Sequence, residues 1–305
     1  MIFNKYKIPI TINNNSVLNY EGKEKVLYFL FLPIMWLLSL WVLLKKKLFG
    51  KLKINTFWFD GLSVPCRKIK EGAGSWRALD IIYNYDFGKD KSINGKVSDF
   101  WIGIINAQAV RNRLRLSKYL LREQIEKFSR YKEVRILSIA SGSAQGLIEV
   151  IKKFKDKNII VRAALLDLDP TAIEYSRRTA KEMSVEAQIT FLNKSVSVLE
   201  EEIRSFDPHI IEMIGFLDYR PYHKAIKLIQ RVRNLLLPGG VFLVSNTRYN
   251  PEAFFLKWVI DWSMIYRSPK KLSEIIIKAG FKSENCEMIY EPFKIHGIAI
   301  CRKSA

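Results

Sequence analysis

The stretch Val134–Gly146 reads VRILSIASGSAQG and runs directly into LIEVIKKF at residues 147–154. A short β-rich run, a turn of small residues and a helical pattern in this order form the loop that cradles a phosphate or cofactor in a doubly wound sheet. The pattern repeats downstream. Residues 159–166 (IIVRAALL) predict a second strand ending at Asp167, and Asp169-Pro170 then caps the helix TAIEYSRRTAKEM. Further strands are expected at 187–192, 209–214 and 241–245, with a helix over 222–237 and the turn Pro238-Gly239-Gly240 before the fifth strand. Such alternation predicts a parallel α/β sheet built through right-handed crossovers. The dinucleotide fingerprint GxGxxG is absent, because Ala140 and Ser143 occupy positions where it needs glycine.

Five landmarks in order, SIASGSAQG, LLDLDP, LLLPGGVFLVSN, PKKLSEIIIKAGF and the closing pair SENCEMIYEP with FKIHGIAICRK, make residues 134–303 resemble a class I S-adenosylmethionine-dependent methyltransferase. The resemblance implies a doubly wound, mostly parallel seven-stranded α/β sheet with a closing antiparallel hairpin. It also implies S-adenosyl-L-methionine as cofactor. Asp167, which ends a strand 25 residues after Gly142, is expected to accept the ribose hydroxyls, and Gly142 to let the backbone approach the methionine part. Ser138, Ala140, Ser141, Leu168 and Gly215 complete the expected cofactor wall. The chain departs from the family pattern in three places. Ser138 stands where the first strand usually ends in an acid, Ala140 and Ala144 replace glycines, and Asn193 or Ser195 takes the place of an acid that contacts adenine.

The sulfonium cofactor carries an activated methyl group, so the protein has to align an acceptor, exclude water and, for an O–H or N–H acceptor, take up a proton. Groups for that task belong after the fourth and fifth strands. Asp218, Tyr219 and His223 are the candidates, although His223 also reads as a solvated residue at a helix start. Glu212, on the fourth strand, is expected to meet a cation or to face the site, since an unpaired buried carboxylate is costly. The base-amine signature Asn/Asp-Pro-Pro-aromatic and a nucleophilic cysteine are both missing after the fourth strand. The acceptor expected is therefore a small molecule or lipid, and the aromatic insertion at 251–269 reads either as a packing helix or as a lipophilic cap.

Upstream, Val26–Leu44 runs for nineteen residues without a charge, enough for a helix of roughly 28 Å. Lysines flank it on both sides, and no cleavage site follows. Three readings are open: a spanning anchor, a monotopic interfacial helix kinked at Pro33, or a buried core helix. The expectation adopted is a membrane anchor, single-pass or monotopic, with the catalytic domain on the cytoplasmic side. The domains expected are a tail and anchor over 1–54, a helical cover over 55–133 and the methyltransferase domain over 134–305. Residues 84–99 read as a loop.

Composition sets the outer bounds. With 305 residues, 49% of them hydrophobic, disorder is excluded. Cys66, Cys286 and Cys301 form no CxxC or Cys/His pattern, so no metal site is expected. A net charge of +20 calls for an anionic partner. It concentrates in Lys45–Lys70 and in a helix over Arg111–Arg135 with a cationic outer face. Anionic lipid is the expected partner and nucleic acid is not. The alternatives are a basic RNA-binding methyltransferase-like module and a noncatalytic membrane-tethered scaffold.

Overall fold

The computed structural model describes residues 2–3, 6, 8–22, 26–50, 56–203 and 205–304. Lys5, Lys7, Lys23, Lys25, Lys51 and Lys53, which contribute to the expected lysine flanks, lie outside the described residues.

In chain order the elements are β1 (Ile2–Phe3), β2 (Pro9–Ile12), α1 (Val26–Phe49), α2 (Val64–Glu71), α3 (Trp76–Tyr83), α4 (Ile93–Ile102), α5 (Ile105–Phe128) and β3 (Val134–Ile139). Then follow α6 (Gln145–Lys155), β4 (Val161–Asp167), α7 (Pro170–Glu182), β5 (Ile189–Asn193), α8 (Leu199–Ile203) and β6 (Ile210–Met213). The chain ends with α9 (Tyr222–Leu235), β7 (Val241–Thr247), α10 (Ala253–Trp258), α11 (Pro269–Lys278), β8 (Cys286–Tyr290) and β9 (His296–Arg302). The expected strand–helix alternation is present.

The chain divides into two compact units, one of residues 1–19, 113–248 and 265–305, the other of 20–112 and 249–264. The division differs from the expected boundaries at 54 and 133. The N-terminal residues join the sheet, and the segment after β7 belongs with the helices.

The first unit holds one mixed sheet in the order β1-β2-β8-β9-β7-β6-β3-β4-β5. β3 to β7 run parallel, and β9 inserts antiparallel between β7 and β8. These seven strands are the expected ones. Two more were not foreseen: β2 adds parallel to β8, with Ile10 opposite Met288, and β1 pairs antiparallel with β2. β6 and β7 are buried along their whole lengths, as parallel strands covered on both faces require. Cys286 and Cys301, on the two strands of the closing hairpin, become register partners, and both are buried free thiols.

The second unit is helical. Its α1 corrects the spanning form of the anchor expectation, because no helix among the described residues is long and apolar enough to cross a membrane. The physical reason lies in how α1 is used. Pro33 lies inside it, lysines occupy its last turn, and Met35, Ser39 and Val42 are fully buried along one stripe. Trp36 Nε1 donates to the Pro251 carbonyl at 3.0 Å, while Lys46 pairs with Asp261 and reaches the Trp258 carbonyl at 3.3 Å, so α1 packs beside α10. The helix gives one face to its own chain, a role that an apolar run does not reveal.

Two smaller expectations also change. Residues 93–102 form α4, which begins inside the loop expected over 84–99, started by Ser92, whose Oγ accepts the Gly95 N–H at 3.2 Å. The aromatic insertion is helical only over Ala253–Trp258.

Candidate functional site

Strand order places the site. From β3 the chain winds outward through β4 to β5, then returns on the other side of β3 with β6 and β7. The reversal between β3 and β6 is where ligands enter an open α/β sheet, at the carboxyl ends of the strands.

The loop after β3 is tight. Ala140, Gly142 and Ala144 have φ of 52°, 56° and 48°, so both alanines adopt the left-handed conformation in which the family uses glycine. For an L-residue with a Cβ this costs roughly 1–2 kcal/mol each. Asp167, at the end of β4, ties the loop down. Its Oδ2 accepts the Gly142 N–H at 2.8 Å and its Oδ1 the Asp169 N–H at 2.9 Å. Ser176 Oγ donates to the Gly142 carbonyl at 3.0 Å. Ser141 Oγ is buried in this loop and has no hydrogen-bond partner among the described residues. A carboxylate at a strand end, a glycine-conformation loop and an orphaned hydroxyl suit a cofactor carrying ribose hydroxyls and an amino acid group, so the residues present fit S-adenosylmethionine.

Across the reversal, Ser138 on β3 is the register partner of Glu212 on β6, and Ser138 Oγ donates to Glu212 Oε1 at 2.9 Å. Glu212 is buried, and loss of hydration pushes its carboxyl up to about 7, with the Ser138 hydrogen bond opposing. Of the two outcomes expected for Glu212, a cation or the site, the structure supplies a hydroxyl at the reversal point. Where the family's acid is missing from β3, a carboxyl stands one strand away. The sequence carries the signal as HIIEMI, an acid inside an apolar strand.

Gly215, after β6, has φ of 85° and donates its N–H to Ser245 Oγ at 2.7 Å. The Arg113 guanidinium lies 3.3 Å from where a Cβ on Gly215 would sit, so a larger residue there would press on it. Beyond lies a network that sequence reasoning missed. The Asp218 carboxylate accepts the Thr247 N–H at 2.8 Å, Thr247 Oγ1 at 2.9 Å and the Asn246 side-chain amide. Burial raises the Asp218 pKa, while Thr247 and the charges of Arg113 and Arg267 oppose the rise. Arg267 Nη1 donates to the Leu217 carbonyl at 2.9 Å. His296, fully buried, faces Thr247 Oγ1 at 3.2 Å, and burial followed by the Arg113 charge holds it well below the usual histidine range.

The other expected residues fall as follows. Tyr219 is half-buried beside Asp218. His223 is exposed in the first turn of α9, its ring edge-on to Tyr222. The Asn193 amide donates to the carbonyls of Asp167 and Leu168 at 3.1 and 3.0 Å, and Ser195 accepts the Ser197 N–H at 3.2 Å. Leu168 is exposed. The expected cationic face of 111–135 is only partly outward. Arg111 and Arg113 are buried, Arg111 pairing with Glu21 at 2.6 Å, and Lys118 pairs with Glu149. Gln108 donates to the Gly103 carbonyl at 2.5 Å.

A family model described as "Putative methyltransferase" matches residues 34–303. No protein of curated function matches the chain by sequence. Among solved structures, a protein of Bordetella parapertussis described as a possible exported protein superposes with a TM-score of 0.66 at 15% identity, covering 91% of this chain and 97% of that one. A CurJ carbon methyltransferase gives 0.53 at 10% identity, covering 82% and 68%. An O-methyltransferase family 2 protein from Planctomyces limnophilus, solved with apigenin, gives 0.50 at 12% identity, covering 96% and 99%. At these identities the likeness is one of fold.

Proposed function

The chain belongs to this methyltransferase family, and from that premise we propose that it transfers a methyl group from S-adenosyl-L-methionine to a small lipophilic acceptor at a membrane surface. The observation that carries the cofactor reading is Asp167, which ends β4 with its carboxylate fixed by the Gly142 and Asp169 N–H groups. S-adenosylmethionine would supply the activated methyl group. Asp167 would hold the ribose hydroxyls, and the loop from Ala140 to Gly142 the methionine part, with Leu168, Asn193 and Ser195 toward the base.

Glu212 takes the role of the acid that Ser138 lacks. Its carboxylate is oriented by the Ser138 hydroxyl and is suited to receive an ammonium group. Asp218 acts as a positioning residue, holding the end of β7 through Asn246 and Thr247. Tyr219 and His223 are the candidate proton acceptors for an O–H or N–H substrate. The lipophilic acceptor and membrane attachment rest on the second unit, whose α1 leaves Leu37, Leu40 and Leu44 exposed. The monotopic alternative replaces the spanning one.

The test is calorimetric titration with S-adenosylhomocysteine, followed by comparison of lipid extracts incubated with the protein and methyl-labelled cofactor. Failure to bind the product cofactor would remove the reading. Label appearing only in polar small molecules would keep the enzyme and remove the lipophilic acceptor.

A further inference from the structure

In the second unit, α1 separates two apolar hollows. One is a chamber of about 470 Å³ lined by Phe31, Met35, Trp58, Val97, Phe100 and Trp101, with Ile34 and Ile93 also on its wall. Its volume is in the range of sites that take a small organic molecule, about 300–1,000 Å³. Lys96 is the one charged residue of that wall. The other, more open hollow lies between Pro33, Trp36, Leu37, Leu40 and Phe254.

The ridge between and beside them is apolar and exposed. Leu37 is 67% exposed, Leu48 75%, Trp58 60% and Ile93 76%. Exposed apolar side chains gathered around two apolar hollows mark an interaction site in a natural protein. Its charge selects the partner. α1 carries no acidic residue, Lys45 and Lys47 stand in its last turns, and Lys45 Nζ sits 4.0 Å from the centre of the Trp41 ring. Exposed indoles and lysines at the end of an apolar helix face match the headgroup level of a bilayer with anionic lipid. A second copy of the chain would bring the same positive charge and lacks this complementarity.

We propose that the exposed face of α1 docks on an anionic phospholipid bilayer and that the chamber beside it takes one acyl chain, with Lys96 pairing with that lipid's phosphate. The inference rests on the membrane-surface reading above and adds a defined lipid site to it. It does not depend on which molecule is methylated.

The experiment uses the full chain and extruded vesicles of phosphatidylcholine, alone or with an equal part of phosphatidylglycerol. Binding to the mixed vesicles is expected, with little to phosphatidylcholine alone. Leu37→Glu with Leu40→Glu, both at exposed positions, should weaken binding by about tenfold or more, and Lys45→Gln with Lys47→Gln by about tenfold at moderate salt. In a chain carrying Trp36→Phe and Trp41→Phe, phosphatidylcholine labelled with a doxyl group in mid-chain should quench the fluorescence of the chamber's Trp58 and Trp101. Filling the chamber with Ile34→Phe and Val97→Phe should relieve that quenching and change vesicle affinity by less than about twofold. Circular dichroism checks each variant's fold.

If the chain binds no vesicle, the membrane reading and the lipid site both fall. If it binds anionic vesicles and the quenching ignores the filled chamber, the lipid site falls and the membrane reading stands. If the Glu pair converts an oligomer to a monomer and neither form binds vesicles, the face is a self-association surface and the proposal is overturned.

Discussion

The two units of the chain deal with apolar surface in opposite ways. In the sheet unit, Leu137, Ile211, Phe242 and Val244 are fully buried, and the polar chemistry gathers at the strand ends. In the helical unit, Met35 and Val42 are buried on one side of α1 while Leu37, Leu40 and Trp41 lie open on the other. The interior of the helical unit is also polar in places. Asp60 and Lys70 pair there at 2.6 Å, and Glu252, pushed up to about 8 by burial, accepts the N–H groups of Ile105 and Asn106 at the start of α5. One unit keeps its apolar side chains inside and its polar groups at the strand ends, whereas the other leaves one apolar helix face open over an interior that holds buried charge.

The contrast breaks most sharply at Asp60. Its carboxylate receives the Thr56 N–H at 3.1 Å and the Lys70 ammonium, and burial already lowers the Lys70 pKa, with Asp60 opposing. Asp60→Ala strips a buried ammonium of its carboxylate and should cost about 3–5 kcal/mol. Calorimetry should show that loss while the S-adenosylhomocysteine affinity of the folded chain, measured below its transition, stays within about twofold. An equal collapse of cofactor affinity would break the contrast between the two units.

Asp167 sharpens the other side. Asp167→Ala should lose about 1.5–3 kcal/mol of S-adenosylhomocysteine binding, roughly ten- to a hundredfold in Kd. Stability should change less, since the residue is only partly buried. Unchanged affinity would sink its assignment to the ribose.

Glu212 links the crevice to pH. Its folded pKa of about 7 stands above the ordinary 4.5, so the folded state holds the proton more tightly. The resulting stabilisation is full below about 4.5 and is lost as pH rises through about 7. Glu212→Gln should flatten that slope and raise stability at pH 8 by on the order of 1–2 kcal/mol. The same substitution should weaken cofactor binding at pH 8, where the native carboxylate is ionised. If denaturant midpoints of the native chain do not fall between pH 5 and 8, the carboxyl is not held in its protonated form.

Much of the sheet unit was legible because its signals are local. VRILSIA, VRAALLD and VFLVSN each carry a strand's apolar run and its turn, and Asp167 announces itself as the acid at a strand end. β2 was not legible. PITI is four residues long, and its pairing with β8 joins positions more than 270 residues apart. The Asp218 network joins Arg113, Thr247, Arg267 and His296, none of them close in sequence to Asp218 itself. α1 failed for a different reason. A run of nineteen uncharged residues measures length and hydropathy, whereas spanning also depends on whether one face is already committed to the protein, as Met35, Ser39 and Val42 are.

The smallest effect tests whether the sheet unit, too, carries a cost where its chemistry lies. Ala140 sits at φ 52° and Ala144 at φ 48°, in a loop where Gly142 at φ 56° adopts the same region freely. An alanine there is strained by roughly 1–2 kcal/mol relative to its preferred backbone. Glycine removes the strain but loses more entropy on folding, by about 0.5–1 kcal/mol. The two terms leave a net gain, so Ala140→Gly should stabilise the chain by about 0.5–1 kcal/mol in urea denaturation. Cofactor affinity should hold or fall slightly, because the alanine stiffens the loop that Asp167 anchors through the Gly142 N–H. A destabilised Ala140→Gly variant would mean that the Ala140 methyl makes packing contacts worth more than the strain. The contrast would then narrow to one unit that exposes apolar surface and one that bears no comparable cost at its functional loop.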